Sequence, residues 1–301
     1  MNSTAAAAVS PPAAELSARS SFNALLWSVQ RELWENRSVY VAPLAAAMIF
    51  LVGFLVRLIV MPESVRGPFA AAAAATRESV VEPYTLAALV MMATGVVVGI
   101  FYCLDTLYAE RRDRSILFWK SLPVSDRTTV LAKLCIPFVV LPLLTTVGSF
   151  AMHLVMLTLS SVVLWTGGLG AGALWQDVAP LHLGLKVLYH MVSMHVLWYA
   201  PIFAWLLLAS AVARRAPFLW AGIPVLAIAV VEYLALGSSR FVDAIKFRFI
   251  GDPANMNGSN DPLAHGSLSE LFSSPDLWAG LVLAAVFVAA TIQIRRRNEP
   301  L

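Results

Sequence analysis

His153, His190 and His195 stand close to Met152, Met156, Met191 and Met194 in apolar sequence. Imidazole and thioether together form a soft donor set of the kind that suits copper. The spacing argues against that chemistry. On a helix of 3.6 residues per turn, His190 and His195 project about 140° apart and cannot share a face. Methionine also fills irregular cores without binding anything. No metal site is therefore assigned, and the three histidines are read as lining a polar path or hydrogen-bonding between helices. Arg57 and Glu232 fall at similar depth in two further apolar runs. Ionisable groups there are costly and mark function by default. The pair could meet across a bundle, or Arg57 could snorkel to the nearest polar boundary. These five residues form a possible path or gating set.

Catalysis of its own is not expected from this chain. G-x-S-x-G, H-E-x-x-H and paired acidic motifs do not occur. G-x-x-x-x-G-K-[ST] is absent too, and "TGGLGAG" at 166–172 lacks the lysine that would reach a nucleotide phosphate. That stretch reads as a flexible turn before "LWQDVAP". Cys103 and Cys135 have no metal-type spacing and are read as packing residues.

The elements that must position these residues are membrane spans. Hydrophobic residues make up 59% of the 301 and charged residues 13%, about half the charge of a soluble domain. Mean hydropathy is +0.75. Six stretches approach the ~20 apolar residues that cross a bilayer: 39–61, 83–108, 134–160, 186–212, 217–236 and 277–294. The expected fold is an all-α integral membrane protein with six transmembrane helices, occupying 39–294. Pro137, Pro142 and Pro224 predict interruptions in spans three and five.

Orientation follows from the basic residues. Fourteen Lys and Arg flank one set of span ends and five the other, with Arg57 and Lys186 at span edges. The richer side is predicted to be cytoplasmic, which puts both termini there in a cell (inner) membrane. The net charge of +3 is a topology signal, and no nucleic-acid partner is expected.

Residues 1–20 read as a disordered Ala/Pro-rich lead-in rather than a cleavable signal. Residues 21–38 then carry Phe22, Leu25, Leu26, Val29 and Leu33 on one helical face. Arg31, Glu32 and Glu35 lie away from it, with Trp27 and Trp34 at its margins. This is an N-terminal amphipathic helix for the membrane interface, or one that packs on another element. Outer loop 237–276 contains a possible helical piece around Phe241, Ile245, Phe247, Phe249 and Ile250. A short tail, 295–301, ends the chain.

The densest charge lies in "LYAERRDRSILFWKSLPVSDRTTVLAKL", residues 107–134. Pro123 stops a short amphipathic piece. Ser125 then offers an N-cap with Asp126 in the first turn. Phe118 and Trp119 sit among charges, where they could dock a partner or dip into lipid headgroups.

The segment "ERRDRSILFWKSLPVS", with the interfacial helix and six spans, resembles the permease subunits of the ABC type-2 exporter family. The resemblance implies that loop 109–133 carries a coupling helix for a separate ABC ATPase subunit. It places Glu110, Arg111, Arg114, Phe118, Trp119, Lys120, Pro123 and Ser125 in that contact or its support. It also implies ATP and Mg on the partner, pairing as a homodimer or with a similar permease, and export of an unidentified substrate among membrane lipids. Two other readings stay open: a secondary transporter, for which no convincing inverted repeat is visible, and a membrane scaffold without transport.

Overall fold

The computed structural model describes residues 13–60, 77–115, 124–166, 168, 170–250 and 268–297. Among the described residues every regular element is helical. The chain begins with α1 (Ala13–Glu35), α2 (Ser38–Val60) and α3 (Arg77–Arg112). After α4 (Asp126–Cys135), a π-helical segment (Ile136–Val140) leads into α5 (Leu141–Thr166). Next come α6 (Gly172–Val178), α7 (Pro180–His190), a second π-helical segment (Met191–Trp198) and α8 (Ala200–Val212). The last four are α9 (Pro217–Leu236), α10 (Arg240–Ile250), α11 (Leu268–Ser273) and α12 (Pro275–Arg297).

Among the described residues five helices are long and apolar enough to cross a membrane: α2, α3, the continuous run α4–α5, α9 and α12. A sixth crossing results if Gly172–Trp198 and Ala200–Val212, bent by 51°, count as one span. Large apolar side chains cover the outside, such as Ile49 at 75% and Leu234 at 78% exposure. Helices apolar on their outer surface belong in lipid, and the chain is read as a multi-pass membrane protein.

The two π segments follow from local chemistry. Pro137 has no N–H to donate to the i−4 carbonyl, and the ladder around it shifts to the wider i→i+5 pattern. The second π segment ends at Tyr199, before Pro201 in the first turn of α8. Two main cores flank this region. One gathers Phe54, Tyr84, Met91, Met156, Leu174 and Met191. The other gathers Val39, Tyr102, Ile136, Leu141 and Phe203, with Val29 and Leu33 of α1 packed against it. Close approach of α3 to α8 needs Gly99, where a Cβ would come within 2.8 Å of Phe203.

Several boundaries differ from the sequence expectation. α1 starts at Ala13, inside the stretch read as lead-in, and α12 continues through Arg297, inside the stretch read as tail. The stretch read as a turn, 166–172, overlaps the end of α5 at Thr166 and the start of α6 at Gly172, and α6 ends at Ala179 with φ 43°. The aromatic piece of the outer loop is α10, as its pattern predicted.

Candidate functional site at the charged end of the bundle

Val29 and Leu33 hold α1 against the second core, and this orientation turns Ser28 and Glu32 inward. Glu32 is fully buried. The expectation that it faces outward is therefore corrected: it belongs to the packed face, one turn from Ser28. A buried carboxylate is tolerated only when paired and hydrogen-bonded, and Glu32 is both. Lys133 Nζ of α4 lies 2.8 Å from its Oε1, and Arg31 Nη2 lies 2.6 Å from the same oxygen. Tyr102 and Thr106 of α3 donate hydroxyls to Oε2 at 2.8 and 3.3 Å. Burial pushes the Glu32 carboxyl up, but Lys133 and Arg31 outweigh it and hold it below its ordinary value.

A second carboxylate completes the cluster. Glu110, at the end of α3, lies 2.9 Å from Lys133 Nζ and 3.4 Å from Arg31 Nη2. Arg295 Nη1 of α12 reaches its Oε2 at 2.6 Å, and Arg295 Nε lies 3.2 Å from Asp126 Oδ1. Lys133 also donates to Thr106 Oγ1 at 2.8 Å. Glu32, Glu110 and Asp126, with Glu35 3.6 Å from Arg31 at the half-exposed edge, thus surround Arg31, Lys133 and Arg295, and four helices (α1, α3, α4 and α12) meet on these charges.

Arg111 makes a separate joint. Its Nη2 donates to the carbonyls of Ser210 and Ala213 at 2.8 and 2.6 Å. These are orphan carbonyls at the C-terminal end of α8, where a cation is favoured. Ser210 Oγ in turn accepts from the backbone N–H groups of Leu107 and Tyr108 at 3.2 and 3.0 Å. The ends of α3 and α8 are fastened twice.

Of the eight residues assigned to partner coupling, Glu110 and Arg111 are therefore buried within the bundle. Arg114 is exposed and adopts φ 58° as the chain leaves α3. Ser125 is the N-cap of α4, accepting from the Thr128 N–H at 3.1 Å. Phe118, Trp119, Lys120 and Pro123 lie outside the described residues.

The path set is not gathered into one place. Glu232 is occupied elsewhere: Ser238 donates its hydroxyl to it at 2.7 Å and Phe241 its N–H at 2.9 Å, which caps α10. Arg57 is exposed on α2, and no ion pair joins it to Glu232. His153 Nε2 bonds the Tyr84 carbonyl at 3.0 Å, and His195 Nε2 bonds the Pro137 carbonyl at 2.9 Å. Both are interhelical links, one of the roles expected. The face argument for His190 and His195 also needs correction. His195 lies within the second π segment, directly after His190, and i→i+5 bonding there brings residues five apart toward one side.

At the opposite end of the bundle, Arg248 of α10 lies over the Trp198 ring at 4.4 Å. Its Nη1 donates to the Asp276 carbonyl at 3.0 Å, and the Trp198 N–H donates to the Arg248 carbonyl at 3.0 Å. The guanidinium occupies the place where a Cβ on Gly280 would stand. Sequence reading passed over Glu32, Lys133, Arg295 and Arg248. Lys133 gave the one available signal, a single cation inside "VLAKLCIP".

No protein-family model, no curated protein and no solved structure matches this chain.

Proposed function

We propose that this chain is the permease subunit of an ATP-driven ABC exporter, with ATP and Mg handled by a separate ATPase subunit. One observation carries the reading. The connection between α3 and α4, which holds the family-like segment, leaves and re-enters the bundle at a charge cluster that ties four helices together. A pull on that connection would reach α1, α3, α4 and α12 at once, which is what coupling to a motor requires. A merely solvated loop needs no such base.

The six-span, cytoplasmic-termini topology is part of the proposal. In its support, α1, the end of α3, the start of α4, the end of α8 and the end of α12 share one end of the bundle. Chain ends on one side require an even number of crossings. The basic-residue bias makes that side cytoplasmic. On α9 Ala221 is the one buried residue, leaving the rest of its surface for lipid or for a second permease copy.

The test is co-purification from membranes with candidate ABC ATPase subunits, comparing the native chain with Phe118→Ala plus Trp119→Ala. A complex whose ATP hydrolysis is lost with the double change supports the reading. A folded, inserted protein that binds no ATPase in either form overturns it and favours a secondary transporter or scaffold.

A further inference from the structure

Three arginines end α12, yet they are not equivalent. Arg296 and Arg297 are exposed, as residues that serve membrane orientation should be. Arg295 is 3% exposed. Desolvating a guanidinium is costly unless carboxylates and geometry compensate, so this residue is held inside for what it touches. It touches two residues only sixteen positions apart in sequence: Glu110, in the last turn of α3, and Asp126, the first residue of α4.

We infer that Arg295 is a positioning residue for the connection between α3 and α4, a staple that closes this connection at its base. One guanidinium donates to the residue before the connection through Nη1 and forms an ion pair, without a hydrogen bond, with the residue after it through Nε. In its planar fork each carboxylate has its own nitrogen, whereas a lysine would have to bring both to one ammonium, as Lys133 does with Glu32 and Glu110. Lys133 does related work deeper in, but it joins Glu110 to Glu32 of α1 and does not reach Asp126 through any ion pair among the described residues. Lys133, itself in α4, also ties α3 to α4 through Glu110, two turns further in, but among the described residues Arg295 is the cation that pairs with the residues at both lips. It does so from the last helix, whose closest packing is against α8.

Movement of the connection must then either carry α12 with it or break the staple. That last step, from loop to helix, rests on the exporter reading; the closing of the connection does not.

The test uses the full chain in lipid nanodiscs without any ATPase, reading amide hydrogen exchange at 111–115 and 124–128. Arg295→Ala is expected to speed exchange at both lips by about tenfold or more while α5 stays protected. Arg295→Lys should restore one lip and leave the other fast. Asp126→Asn, at a side chain still 27% exposed and so tolerant of change, should loosen 124–128 more than 111–115. Unchanged exchange at both lips in Arg295→Ala overturns the inference. So does acceleration spread evenly through α5 and α8, which would make Arg295 a general stabiliser. If the lips loosen as expected and no ATPase ever binds, the staple stands and the exporter reading falls.

Discussion

The two ends of this bundle seat a cation in different ways. At the charged end, Lys133 and Arg295 are buried against the carboxylates of Glu32, Glu110 and Asp126. At the other end, Arg248 rests on an aromatic face and a backbone carbonyl, in a notch that exists because residue 280 is glycine. The first joint depends on charge and the second on shape. They should therefore fail under different substitutions.

The largest difference should come from removing one charge. Lys133→Ala leaves Glu32 and Glu110 buried with too few cations, and loss of a buried partner costs about 3–5 kcal/mol. Thermal unfolding in detergent should show this, and Glu32→Gln added to Lys133→Met should recover part of it. A comparable loss from the double change would mean that packing, not charge, holds this end. Gly280→Ala attacks the other joint by shape alone. It should expel Arg248 at about 1–3 kcal/mol, the usual range for overpacking. Hydrogen exchange should rise in α10 and remain unchanged around Glu32; protection of α10 in the variant would contradict the notch.

The smallest effect concerns pH. Glu32 titrates below its ordinary 4.5 in the folded chain. The stability it contributes is thus complete above about pH 4.5 and is lost as pH falls through the lowered value. The acid side of the stability profile should be shallower in Glu32→Gln. Arg248 donates to the Asp276 backbone carbonyl and feels that residue's carboxylate only through space, so Arg248→Ala should change the acid slope less than Glu32→Gln does.

The same contrast explains what could be read in advance. Spans, the α4 cap at Ser125 and the aromatic strip of α10 depend on neighbours in sequence, and their patterns were visible. The charged joint was not, because its partners lie far apart: Lys133 and Glu32 are separated by 101 residues, Arg295 and Glu110 by 185. Glu32 resembled one more polar residue on an amphipathic helix, and Arg295 one more arginine after a last span. Arg57 and Glu232 failed for the opposite reason. Similar depth made them plausible partners, but a nearby hydroxyl and amide claimed Glu232 first. Pro137 correctly marked an irregular turn, although its π form depends on how the ladder is re-satisfied in three dimensions.

The π segments also bear on residue number as a quantity that the fold must keep. Each widened turn takes up chain that a regular helix would have advanced, and an α-helix rotates about 100° per residue. Deleting a single residue from Met191–Trp198 would remove only the residue that the widened turn absorbs, whereas the same deletion at the regular start of α8 would rotate everything beyond it by about that angle. Phe203, Leu207 and Ser210 would leave their neighbours together. A one-residue deletion in regular helix thus misaligns a whole machine part, whereas a substitution alters only the contacts of one side chain.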